Sequence, residues 1–114
     1  MPSDPRSFLP LKPVDLELLL ALADHDLHGY GLVRAIAAHT DGLVQLDPGN
    51  LYRVIKRLLA DGLIAESNQD GGDAGRKYYR LTPLGGRVLA KELDRLRQLV
   101  SAPATRQSVK RWTS

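Results

Sequence analysis

The 114-residue sequence has no cysteine, one phenylalanine and one tryptophan. Without cysteine there are no disulfides, no thiolate chemistry and no cysteine-ligated metal, which fits a reducing cytoplasm. So few large aromatics leave the core to Leu, Ile, Val and Ala. Long apolar runs are also missing. The longest, Leu18 to Ala23, is far too short to cross a bilayer. The start, "MPSDPRSFLPLKP", lacks a basic stretch followed by an apolar one, so no secretion signal is expected. Catalytic constellations are absent too. There is no carboxylate pair in a plausible cleft and no supported Ser-His-acid set. "DGGDAG" lacks the lysine and following helix of a phosphate loop. Asp24, His25, Asp26 and His28 superficially resemble metal ligands, but only the isolated His39 is available to join them. The expectation is a non-enzyme with no cofactor and no metal.

What is present is unevenly distributed charge. The net charge is +3 and the isoelectric point about 9.4. Residues 1–47 carry three cations (Arg6, Lys12, Arg34) against seven acids, whereas residues 48–80 carry six cations against four acids. An anion-binding face should therefore come from the middle of the chain.

No internal repeat is present. Residues 1–12 read as an N-terminal arm, with Phe8 and Leu9 available to dock. From Pro13, "PVDLELLLALADHD" is apolar nearly all round, predicting a largely buried helix ending near Asp24. A second helix follows in "LHGYGLVRAIAAHT", with Leu32, Val33, Ile36 and Ala37 inward; Gly29 and Gly31 suggest a tight helix approach. "DGLVQL" reads as a turn and a short extended piece. Asp47 as cap and Pro48 at the first position open a third helix, which stops at Gly62. "LIAES" and "RKYYRL" read as a hairpin around the turn "NQDGGDAG". Thr82 and Pro83 repeat the cap-proline start, and a fourth helix runs to about Val100. The predicted fold is mainly α with a small β-hairpin. A winged helix-turn-helix domain spans 13–82, a dimerisation helix 83–101 and a basic flexible tail 102–114.

On a helical wheel, Leu51, Val54, Ile55, Leu58 and Leu59 share one side of the third helix. Arg53, Lys56, Arg57 and Ala60 take the other, with Gly49, Asn50 and Tyr52 on the flanks. A solvated face usually mixes signs at i, i+4 spacing, yet this one carries three cations before Asp61. A recognition helix in a DNA major groove accounts for that, since Arg pairs with guanine, Asn with adenine, and Lys and Tyr reach phosphates. Arg76, Lys77 and Arg80 add charge along the wing, while Asp70 and Asp73 at its tip oppose DNA contact.

These segments resemble the PadR family of bacterial transcriptional regulators. The likeness lies in "LHGYGL" (27–32), "LDPGNLYRVIKRLLADGLI" (46–64) and "GRKYYRLTPLG" (75–85), and covers most of residues 14–100. It implies a dimeric winged-helix repressor, released from a two-fold symmetric operator by a small molecule or another signal. By position it implies DNA-facing roles for Asn50, Tyr52, Arg53 and Lys56, and for Arg76 and Lys77 at the wing base. Asp47, Asn50 and Arg53 stand where the family frequently has serine, threonine and proline.

The fourth helix carries Leu89, Leu93, Leu96 and Val100 at spacings of a short seam. A helix appended to a complete winged domain has little core left to cover, so this seam is expected to form a homodimer. His28 is expected to make a local hydrogen bond at the start of the second helix. Tyr30 is open between packing under the third helix and contact with DNA or ligand. Tyr79 should face inward with Leu81, and Tyr78 outward. Some short family members take flat hydrophobic drugs at the dimer interface; here the fourth helix has no aromatic residue and Trp112 lies in the tail. The competing reading is a winged-helix protein-interaction module without DNA binding.

Overall fold

The structure, a computed structural model, describes residues 4–67 and 76–113. The expected wing-tip turn with Asp70 and Asp73 lies outside the described residues. Among the described residues, five α-helices and three strands follow in order: α1 (Pro13–Asp24), β1 (Leu27–His28), α2 (Gly29–His39), α3 (Pro48–Ala60), β2 (Ile64–Ser67), β3 (Tyr78–Leu81), α4 (Pro83–Ser101) and α5 (Pro103–Lys110).

Helix boundaries follow local chemistry. Asp47 Oδ1 accepts the Asn50 N–H at 2.9 Å and Pro48 presets the first turn of α3. The helix closes with Gly62 at φ +77°, its N–H donating to Leu59 O and that of Leu63 to Leu58 O. This pair of bonds satisfies carbonyls that the last turn leaves open and needs the left-handed backbone that glycine adopts without a Cβ clash. Thr82 caps α4 in the same way, accepting from Gly85 N–H at 3.0 Å, while its hydroxyl donates to Gly62 O at 2.6 Å.

The core is aliphatic as expected. Leu18, Leu19, Leu22, Leu32, Ile36, Leu51, Ile55, Leu58, Leu63, Ile64 and Val88 are buried, with Tyr79 the one buried aromatic among the described residues. Each such side chain contributes roughly 1.5–3 kcal/mol by leaving water. Helices α1, α2 and α3 enclose this core, and β3 closes it from one side.

The expected hairpin forms from β2 and β3, and the third strand departs from expectation. The sheet has order β1-β3-β2, all antiparallel, with Leu27 opposite Tyr79 and Ile64 opposite Leu81. Its third strand is Leu27–His28, before α2, and not the expected piece after it. In residues 43–46, Val44 and Leu46 do turn inward while Leu43 and Gln45 are exposed. That alternation reflects an extended segment pressed on the core and paired with no strand among the described residues.

Two further short elements lie outside the winged domain. The arm forms a 3-10 turn at Pro5–Phe8, and Phe8, Leu9 and Leu11 rest on the core. Within the C-terminal tail, α5 is started by Pro103 at its first position. Gly29 and Gly31 have ordinary contacts around them, whereas a Cβ on Gly85 would run into the Leu63 backbone carbonyl. The close approach that requires glycine is therefore between α4 and the segment leading into β2.

The fourth helix is divided along its length. Gly85, Val88, Leu89 and Glu92 are buried within the subunit, and Leu93 rests on the same core. Leu89 is thus a core residue, which corrects its expected place in a dimer seam; α4 does have core left to cover. Leu96 is half-buried, and Leu99 and Val100 are 52% and 64% exposed. Glu92 is also buried: its Oε2 accepts the Leu11 N–H at 2.7 Å, and Arg95 Nε donates to Oε1 at 2.6 Å. Its pKa lies below the usual glutamate value because of the Arg95 hydrogen bonds, with the Leu11 N–H assisting against burial. The arm is tied to α4 by this carboxylate.

Candidate nucleic-acid interface

The inward side of α3 is Leu51, Ile55 and Leu58, with Val54 and Leu59 half-buried, as the wheel predicts. Asn50, Tyr52, Arg53 and Lys56 are exposed. Arg53 and Lys56 make no ion pair with any described residue. Asn50 is partly committed: its side-chain amide donates to Asp47 Oδ2 at 2.8 Å, so the cap residue also orients it.

Arg57 does not join this open edge. Its guanidinium forks onto Asp15 of α1, Nη1 to Oδ2 at 2.7 Å and Nη2 to Oδ1 at 2.9 Å. Asp15 is 4% exposed. A carboxylate so far from water requires a paired cation, and Arg supplies both donors in one plane. The same hydrogen bonds raise the Arg57 pKa above its usual value. The expectation that all three cations project outward is corrected here: Arg57 clamps α3 to α1. The sequence did contain a signal. Asp15 stands at the first place of the buried stripe Asp15, Leu18, Leu19, Leu22, where an acid calls for a partner.

The wing base flanks α3 on the Tyr52 side. Arg76 Nη1 lies 3.2 Å from His28 Nε2, and Lys77 Nζ lies 3.4 Å from Glu66 in an exposed pair. His28 caps α2, its Nδ1 accepting the Gly31 N–H at 3.1 Å, as expected of a local structural role. A neutral imidazole accepts at only one nitrogen, so this cap and an Arg76 hydrogen bond compete for the ring's lone pair. Tyr78 packs edge-on against His28 with centroids 5.2 Å apart. Tyr79 is buried and Tyr78 half-buried, in the predicted alternation; burial raises the Tyr79 pKa. Tyr30 is not packed under α3. It is 66% exposed, with the Arg34 guanidinium 5.8 Å from its ring centre. Between α2, α3 and the wing lies an open groove of about 500 Å³, with Val33 and Ile55 in its floor and Tyr30, Tyr52 and Lys77 on its rim.

Among the described residues, no cluster of three or more His, Cys, Asp or Glu is placed to hold a metal. His39 of the sequence candidates pairs with Glu17 at 2.8 Å, and Asp26 accepts from Ser67 at 2.6 Å. No helix among the described residues is long and apolar enough to cross a membrane.

Three helices, a strand-bounded wing and a cationic third helix define a winged helix-turn-helix. Comparison with known proteins supports this and carries it further. The model of the PadR-like family of transcriptional regulators matches residues 18–91, and the chain belongs to that family. A transcriptional regulator of Mycobacterium tuberculosis is 33% identical over 86 residues, 75% of this chain and 78% of that one. A complex of RosR from H. salinarum has a TM-score of 0.70 at 23% identity, covering 94% of this chain and 90% of that one. Bacillus subtilis PadR in complex with operator DNA has a TM-score of 0.62 at 22% identity, covering 74% of this chain and 48% of that one.

Proposed function

We propose that this PadR-family regulator is a sequence-specific DNA-binding repressor that acts as a homodimer in the cytoplasm. The observation carrying this reading is the outer edge of α3, where Arg53 and Lys56 face solvent with no described acid paired to them. A helix fits a major groove about 12 Å wide. Asn50, Tyr52, Arg53 and Lys56 then meet base edges and near phosphates, and Arg76 and Lys77 meet the backbone beside the wing. Arg57, engaged with Asp15, sets the tilt of the helix and is left out of the contact set.

Dimerisation is assigned to the outer half of α4. Leu96, Leu99 and Val100 continue into Val109 and Trp112 of the C-terminal segment, and the last four are more than half exposed. An apolar strip of this kind on a small domain marks an association surface. Leu93 borders it. Two copies related by a two-fold axis present two α3 helices to an operator of the same symmetry, roughly 34 Å apart or a multiple of this. Repression follows from occupying a promoter. A small hydrophobic effector entering the groove beside Val100, Pro103 and Val109 would reset the angle between subunits and release the DNA.

The test is binding to the protein's own promoter fragment across a salt series. Arg53→Ala and Lys56→Ala are each expected to weaken operator binding by about fivefold or more, from contacts worth ~1–3 kcal/mol each, with melting unchanged. Retained affinity in both variants refutes the assigned face. A wild-type chain that binds no DNA at low salt favours the protein-interaction module instead.

A further inference from the structure

The wing groove lies on only one flank of α3. A second groove of about 470 Å³ runs along the other flank, between α3 and the start of α1. Its lining includes Lys12, Asp15, Asn50, Arg53, Val54 and Arg57. On the helical wheel the two grooves lie on opposite sides of the outward edge, Tyr52 and Ile55 toward one, Asn50 and Arg57 toward the other. The charge balance here is distinctive. Three cations meet one carboxylate, and that carboxylate is already neutralised by Arg57. Lys12 is exposed, forms no ion pair and caps nothing with its side chain among the described residues. Its place is fixed all the same. Pro13 follows it, Leu16 N–H donates to its carbonyl at 3.0 Å, and Leu11 before it is held by Glu92.

We infer that Lys12 and Arg53 form a phosphate-contact site for the DNA strand opposite the one met by the wing. A helix in a major groove has a sugar-phosphate backbone on each side. Arg76 and Lys77 serve one side, and Lys12 with Arg53 serves the other. Lys12 is then a sequence-independent affinity residue on the arm, positioned by the Glu92 tie. The inference rests on the DNA-binding reading above.

The experiment compares wild type with Lys12→Ala, Lys12→Glu and Lys12→Arg on the promoter fragment and on an unrelated duplex, by fluorescence anisotropy over a salt series. Losing one phosphate contact lowers the slope of log affinity against log salt by about 0.9. Between about 50 and 200 mM salt, Lys12→Ala is therefore expected to lose roughly 3.5-fold less affinity than wild type does. Its affinity should fall by the same factor on both duplexes, Lys12→Glu should fall further, Lys12→Arg should restore binding, and all melting temperatures should stay together. Wild-type binding with an unchanged slope and affinity in Lys12→Ala overturns this inference and leaves the DNA-binding reading standing. A loss confined to the promoter fragment also overturns it, because a phosphate contact carries no sequence preference. Absence of any wild-type binding removes both.

Discussion

Removing Arg57 should destabilise the fold more than removing Asp15, although the two form one ion pair. The asymmetry comes from where each charge sits. The Asp15 side chain is 6% exposed and that of Arg57 40%. Arg57→Ala leaves a nearly buried carboxylate without its partner, and breaking a buried pair from that side costs about 3–5 kcal/mol. Asp15→Ala leaves a guanidinium that already has part of its surface in water and can turn outward. Its loss is the charge-assisted hydrogen bonds, discounted for that exposure, so about 1–2 kcal/mol. The double variant should sit nearer to Asp15→Ala than to Arg57→Ala, because no unpaired buried charge remains. Urea unfolding followed by circular dichroism measures this at one fixed protomer concentration, since association would otherwise shift the midpoints. In melting temperature the two single variants should differ by about 4 °C per kcal/mol for a chain of this size. Equal losses, or a larger loss in Asp15→Ala, would refute the assignment of Asp15 as the buried, dependent partner.

Gly85→Ala is expected to cost upwards of about 3 kcal/mol, more than a usual glycine-to-alanine change in a helix. The new Cβ meets the Leu63 backbone carbonyl, which has no flexible end to yield; a melting temperature at or above wild type contradicts that contact. Glu92 gives a pH dependence. Its pKa is held below the usual 4.5, so its contribution is present above that value and lost as pH falls through the lowered folded value. Acidification should thus free the Leu11 amide for hydrogen exchange before the core opens, and Glu92→Gln should remove this step; Leu11 protection that persists until global unfolding argues against the tie. Leu96→Asp or Val100→Asp should yield folded monomers by sedimentation, whereas Leu89→Asp should unfold the subunit. A dimer surviving in both of the first two variants moves the interface elsewhere.

The sequence was most readable where local chemistry and periodicity agree. Asp47-Pro48 and Gly62 bracket α3, and its aliphatic stripe points inward as the wheel requires. The hairpin strands were readable from their alternation, and Tyr79 is the buried one of the two tyrosines. What escaped was set by tertiary partners. Leu27–His28 is a two-residue strand, too short for any period, and exists because β3 has a free edge beside it. Asp15 and Glu92 each occupy a place in a buried i, i+3, i+4, i+7 stripe, the second among Gly85, Val88 and Leu89. Their type suggested solvent and their position suggested core, and position prevailed because Arg57 and Arg95 lie within reach. For the candidate interface, the wheel separated inside from outside correctly but could not show that Arg57 bends back to a neighbouring helix.

The two halves of α4 belong to one uninterrupted rod of 19 residues, about 28 Å long. Its first half is seated in the subunit and its second half stands clear, with no hinge or linker between them. Whatever grips the free end therefore steers α3 as a handle steers a blade, and a push at one is felt as a tilt at the other. A single residue spliced into the middle would swing the free end by about 100° relative to the seated end. Length and phase in this helix are for that reason as constrained as the chemistry of its side chains.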